Sequence, residues 1–186
     1  MKTYRYLTLL LVATLFMACN NDDDSTPDPV NEEEVITTMT IALTPQGGGG
    51  TEVIMQTRDV DGDGPNPPVI TVVGELVAGT TYNGAASFLN ETETPPENIN
   101  EEIEEEDDEH QIFYVAGGGL DVTTTYSDQD ANGNPLGLSF TLTANTAGTG
   151  TMTVTLRHEP TKPNDGTLSD AGGETDISAT FDVTIN

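Results

Sequence analysis

Three stretches of this chain alternate apolar and polar residues with a period of two. Met39, Ile41 and Leu43 alternate with Thr38, Thr40, Ala42 and Thr44, and Met152, Val154 and Leu156 alternate with Thr151, Thr153, Thr155 and Arg157. Ile177, Ala179, Phe181, Val183 and Ile185 alternate with Ser178, Thr180, Asp182 and Thr184. Successive side chains of a strand point to opposite faces, so each stretch reads as a half-buried strand with one core face and one Thr-rich wet face. Less regular strands are expected near 51–58, 69–76, 81–90, 110–116, 120–127 and 137–143, separated by turns at Gly47–Gly50, Gly117–Gly119 and Asn145–Gly150. About nine short strands with one short acidic helical insertion predict an all-β fold, an immunoglobulin-like antiparallel β-sandwich. The lack of helices alternating between the strands argues against a parallel α/β ligand-binding fold.

The amino terminus follows a different rule. Lys2 and Arg5 form a basic start, Leu7 to Met17 are mostly Leu, Val, Ala and Phe, and Ala18 precedes Cys19, the single cysteine. A bilayer span needs about 20 apolar residues, and half that length with a basic start reads as a secretory signal, here residues 1–18. The small residue before Cys19 resembles a bacterial lipoprotein signal, although Phe16 and Met17 replace the usual Leu-(Ala/Ser). That resemblance implies cleavage before Cys19 and acylation of it, with several acyl chains giving a stable anchor. Residues 19–35 are then expected to be the acylated Cys and an acidic tether, since Asn20 to Glu34 cannot bury enough apolar area to offset ordering entropy. Fully extended, that stretch reaches about 50 Å. The folded domain is expected over 36–186.

Cleavage leaves Arg58, Arg157 and Lys162 against 32 Asp and Glu, a formal charge of −29. Such a surface repels nucleic acid and anionic lipid and attracts cations. Solubility alone accounts for the excess, so the arrangement of the acids decides whether it serves a ligand.

Asp59-Val60-Asp61-Gly62-Asp63-Gly64 and Asp128-Gln129-Asp130-Ala131-Asn132-Gly133 both read D-x-D-x-(D/N)-G. The spacing matches the first half of an EF-hand loop, where alternate oxygens converge on calcium and the glycine permits the turn. Ile70 and Ser139 occupy the place of the bidentate Glu, so an EF-hand proper is excluded. Asp59, Asp61 and Asp63, and Asp128, Asp130 and Asn132, remain candidate calcium ligands. The competing account is Asx turns that need no metal.

Glu97 to Glu109 is expected to be an acidic helix of about three turns, starting at Thr94-Pro95-Pro96-Glu97 and pinned by Ile99 and Ile103. Its far end, entirely Glu and Asp from 104 to 109, opposes the helix dipole and is expected to fray. Each histidine neighbours a glutamate, in Glu109-His110 and His158-Glu159, and alternation places His158 at the rim of the core. If His110 and His158 meet at one end of the sandwich with Glu109, Glu159 or Glu91 nearby, they form a candidate site for zinc or copper. A rim hydrogen bond between His and a carboxylate is the simpler alternative.

Catalytic signatures are absent: the chain has neither G-x-S-x-G nor H-E-x-x-H, and no phosphate-cradling glycine loop before a helix. Acidic pairs are numerous enough to admit a glycosidase. With no Trp and only Tyr82, Tyr114 and Tyr126 after cleavage, however, a sugar-stacking platform would be thin.

The acidic tether, the Asp59–Gly64 segment, Leu89-Asn90-Glu91, Asp108-Glu109-His110-Gln111, Leu156-Arg157-His158-Glu159-Pro160 and Gly173-Glu174-Thr175-Asp176 together resemble a group of small Bacteroidota surface lipoproteins. Members of that group are often labelled as a type 1 periplasmic binding fold, which the strand pattern here contradicts. The Asp22-Asp23-Asp24 cluster resembles the acidic signal that directs such lipoproteins to the cell surface. The resemblance implies an outer-membrane, lipid-anchored accessory binding protein working beside a TonB-dependent receptor. The leading expectation is therefore a noncatalytic binding module for metal cations. The alternatives are a structural or adhesive surface protein with calcium-rigidified hairpins, and a hydrolase.

Overall fold

A computed structural model describes residues 34–62 and 64–186. In chain order the elements are β1 (Thr38–Pro45), β2 (Val53–Arg58), β3 (Val69–Val73), β4 (Thr81–Asn90), β5 (Glu97–Asn98), α1 (Asn100–Glu105), β6 (His110–Gly117), β7 (Val122–Tyr126), β8 (Ser139–Ala144), β9 (Gly148–His158), α2 (Leu168–Ala171) and β10 (Glu174–Ile185). Every named strand pairing is antiparallel, and the chain forms the expected all-β sandwich. The larger sheet has the order β3-β2-β1-β4-β8-β7 with β5 beside β4, and the second sheet has the order β10-β9-β6. None of the described helices is long and apolar enough to cross a membrane.

The alternating residues form the core. Met39, Ile41 and Leu43 of the large sheet and Met152, Val154, Leu156, Phe181 and Val183 of the small one lose nearly all solvent contact in a single cluster. The Thr faces pair across strands instead. Thr153 bonds Thr180, and Thr155 bonds Ser178, each at 2.8 Å, which keeps the outer face of the small sheet polar and in register.

Backbone hydrogen bonds link the sheets directly. Leu138 accepts from Ala86 N–H of β4 while Leu136, two residues earlier, accepts from Ile112 N–H of β6. Tyr114 and Tyr126 donate their hydroxyls to the carbonyls of Gly137 and Ile112 at 2.7 and 2.8 Å. Elsewhere Leu76 N–H donates to Thr184 and Asn186 N–H donates to Leu76, forming a short parallel bridge.

The acidic insertion departs from expectation. The helix is six residues long and begins at Asn100, not after Thr94. Glu97 and Asn98 pair as a strand with Asn90 and Leu89, and Ile99 N–H donates to Phe88. The Asn100 side chain accepts from Phe88 N–H and donates to the Ala86 carbonyl, continuing the ladder of β4 by side chain. Strand pairing therefore overrides the Thr-Pro-Pro-Glu start signal. The acid-rich half beyond Glu105 turns off the helix, as like charges at a negative dipole end require.

Candidate metal centre

β6 begins and β9 ends at the same end of the small sheet, so His110 and His158 are direct cross-strand partners. Both point inward in the row that closes the core after Ile112 and Leu156. Their side chains are 0% and 6% exposed, and the rings stack with centroids 4.6 Å apart.

Two carboxylates complete the cluster, and neither was a sequence candidate. Glu34, assigned by its composition to the tether, is packed into the domain with its side chain 2% exposed. Its Oε1 lies 2.9 Å from His110 Nε2 and its Oε2 lies 3.5 Å from His158 Nδ1. Asp176 Oδ1 stands 3.8 Å from His158 Nδ1, also 2% exposed. The reason Asp176 faces inward is a bulge. The register of β10 on β9 shifts between Thr175 and Ile177, so Asp176 is an extra residue and joins Ile177 on the inner side of the strand.

One donor atom from each of Glu34, His110, His158 and Asp176 falls within 4.8 Å of all the others. Two overlapping groups, Glu106 with Glu109 and His158, and Glu34 with Glu102 and Glu106, extend the cluster along α1 towards solvent. Glu109 Oε2 lies 3.9 Å from His158 Nε2 with its side chain about half exposed, at the rim. Burial and the like charges of Glu34, Glu106 and Glu97 push the Glu102 carboxyl above its ordinary range.

The hydrogen bonding of His110 is the chemical key. Nδ1 faces the Glu106 carbonyl oxygen at 3.1 Å, an acceptor only, so that nitrogen carries its proton. Nε2 then faces the Glu34 carboxylate, another acceptor. A ring nitrogen facing a carboxylate is satisfied by a second proton or by a cation that both groups share. Metal-binding histidines ordinarily donate their other ring N–H to a backbone carbonyl or a carboxylate, the arrangement seen at Nδ1. Glu34 Oε2 is buried and accepts no hydrogen bond among the described residues.

The remaining sequence candidates lie elsewhere. Glu91 is bound by Arg58, with bonds of 2.8 and 2.6 Å to its two oxygens. Glu159, exposed at φ 47°, turns the chain after β9 and lies outside the convergent groups, while its N–H donates to the Glu109 carbonyl. Asp59 Oδ1 accepts from Asp61 N–H, and Asp61 Oδ2 accepts from the Asn66 side chain at 2.7 Å, which holds the Asp61 carboxyl below its ordinary range. Asp63 lies outside the described residues. Asp128 accepts from the backbone N–H groups of Gly137 and Ser139. Asp130, buried, accepts from the N–H groups of Asn132 and Asn134 and stands 3.5 Å from Lys162 Nζ. In the second D-x-D-x-N-G loop only the Asn132 N–H to Asp130 bond is an Asx turn; Asp128 is bound by backbone amides beyond the loop, and Asp130 also faces an intramolecular ammonium.

Glu91 provides a pH test of the fold. Hydrogen bonding by Arg58 and Thr38 holds its carboxyl down to about 2 from an ordinary 4.5. A carboxyl depressed in the folded state adds stability above the unfolded value and loses it as pH falls through the folded one. Glu91→Gln is therefore expected to destabilise at pH 6 and to approach the parent protein by pH 2. Urea midpoints across that range check this, and a difference independent of pH would refute it.

No known protein family, curated protein or solved structure matches the chain.

Proposed function

We propose that the protein is a noncatalytic module that holds one divalent transition-metal ion, zinc or copper, in the cluster of Glu34, His110, His158 and Asp176. The observation that carries this reading is the pair of stacked, buried imidazoles facing two buried carboxylates, with Glu34 Oε2 accepting no hydrogen bond among the described residues. With neutral rings the cluster holds two negative charges, which a dication balances. Tetrahedral zinc with ligands at about 2.0–2.1 Å needs donor atoms roughly 3.4 Å apart. One donor atom from each of the four residues lies within 4.8 Å of the others, so an ion would draw the set together by up to about 1.4 Å. Imidazole nitrogen favours zinc and copper, whereas calcium takes oxygen donors.

The closure of the site supports holding over catalysis. Structural sites fill their coordination from the protein, and catalytic sites keep a position open. Here four side chains, all at most 6% exposed, each bring a donor atom within 4.8 Å of the others. The acids of α1 and the half-exposed Glu109 form the approach from solvent. A lipid anchor at Cys19, outside the described residues, and an acidic tether would place this module on the outer membrane, within reach of an uptake receptor of the TonB-dependent kind.

Titration calorimetry of the full chain with zinc, copper and calcium tests the reading. Zinc or copper is expected to bind at micromolar concentration or below, and His158→Ala is expected to weaken that binding at least 100-fold. Absence of zinc and copper binding, or binding indifferent to His158, would sink it.

A further inference from the structure

The cluster brings together side chains from the small sheet and from the segment that enters the large one. His110, His158 and Asp176 all belong to the small sheet, on β6, β9 and β10. Glu34 belongs to the segment entering β1 of the large sheet. Building on the metal reading above, we infer that the bound ion is a fastener that pins the amino-terminal segment Glu34–Ile36 to the small sheet, so that metal occupancy sets where the tether leaves the domain.

The chain is held by the β ladder from Thr37 onward, where Thr37 N–H donates to Leu89 and the Thr37 carbonyl accepts from Asp59 N–H. Glu34 lies three residues earlier. Between them Val35 is 57% exposed and Ile36 is half-buried against the core, so the segment has little apolar area of its own to hold it down. The Glu34 carboxylate is its deepest group, and it reaches the two histidines of the opposite sheet.

A buried carboxylate is stable only when its charge is balanced and its lone pairs are used. With an ion shared between Glu34 and the histidines, both conditions are met and the docked segment is favoured. Without the ion the docked segment is held less tightly, and only a three-residue run must move to release Glu34. The ion thus has a higher affinity for the docked state than for the released one, the condition under which a ligand shifts a conformational equilibrium. Release adds residues 34–36 to the tether, about 10 Å of extended chain.

The test is hydrogen exchange of the full chain with and without saturating zinc, with calorimetry on the same samples. Zinc is expected to slow exchange at Val35 and Ile36 at least tenfold. Glu34→Gln is expected to weaken zinc binding 10- to 100-fold and to leave those two amides equally fast with and without zinc, while His110, His158 and Asp176 still hold the ion. Glu34→Asp, which keeps the charge a methylene short, is expected to fall between the two. Zinc binding with unchanged exchange at Val35 and Ile36 would overturn the fastener and leave the metal reading standing. Absence of zinc binding would overturn the metal reading and the fastener with it.

Discussion

Zinc at a free concentration a thousandfold above its dissociation constant is expected to raise the free energy of unfolding by about 4 kcal/mol. The reasoning is mass action: an ion that binds the native cluster and not the unfolded chain stabilises the native state in proportion to the logarithm of one plus the ratio of its free concentration to its dissociation constant. For a domain of this size the gain corresponds to a rise in Tm of roughly 8–16 °C. The effect should be large here because the ligands come from β6, β9, β10 and the run-in to β1, which unfolding separates. His110→Ala removes the ring that faces Glu34 at 2.9 Å and is expected to abolish most of the gain. Chelator should return the parent protein to its metal-free midpoint and leave the variant unchanged. Guanidinium unfolding followed with and without zinc decides it. A parent midpoint that zinc does not move would show that the cluster does not bind the ion in its folded geometry.

The second large effect belongs to the core. Phe140→Ala is expected to destabilise by about 3–5 kcal/mol, the usual cost of emptying a buried aromatic site. Phe140 is 2% exposed, lies tilted against Tyr114 with centroids 4.0 Å apart, and pairs directly across β4 and β8 with Gly84. The ring lies over Gly84 so closely that a Cβ built there would overlap it. Gly84→Ala alone is therefore expected to cost about 1–3 kcal/mol by overpacking. In the Phe140→Ala background the obstruction is gone, and Ala should be favoured over Gly in a strand by about 0.5–1 kcal/mol. The sign of the Gly84 substitution should reverse, giving a coupling of more than 1 kcal/mol between the two sites. Urea unfolding of the four proteins in the cycle measures this, and additive effects would show that the ring does not occupy that space.

The two kinds of expectation from the sequence fared differently for physical reasons. Period-two alternation at Met39–Leu43, Met152–Leu156 and Ile177–Ile185 marked strands and their core faces, because a half-buried strand records its two faces in neighbouring residues. The same rule placed His158 at the core rim, where it lies. The helix start before Glu97 misled because a local capping pattern competes with strand pairing, and pairing to Leu89 and Asn90 prevailed. The aspartate loops read as calcium ligands or as turns, and the side chains their acids meet in the fold, Asn66 and Lys162, stand 5 and 32 residues away.

The sequence by itself determined the sheet fold, the burial of His158 and the excess of acid, since each is written in residue type and short-range period. Only the tertiary structure decided the site. The antiparallel register set His110 against His158 across 48 residues, and a bulge turned Asp176 inward against the alternation around it. Packing of the two sheets brought Glu34, the last of three consecutive glutamates, into the cluster. No local pattern could single out Glu34, because what distinguishes it is the pair of histidines it meets, and that meeting depends on how distant strands close over one another.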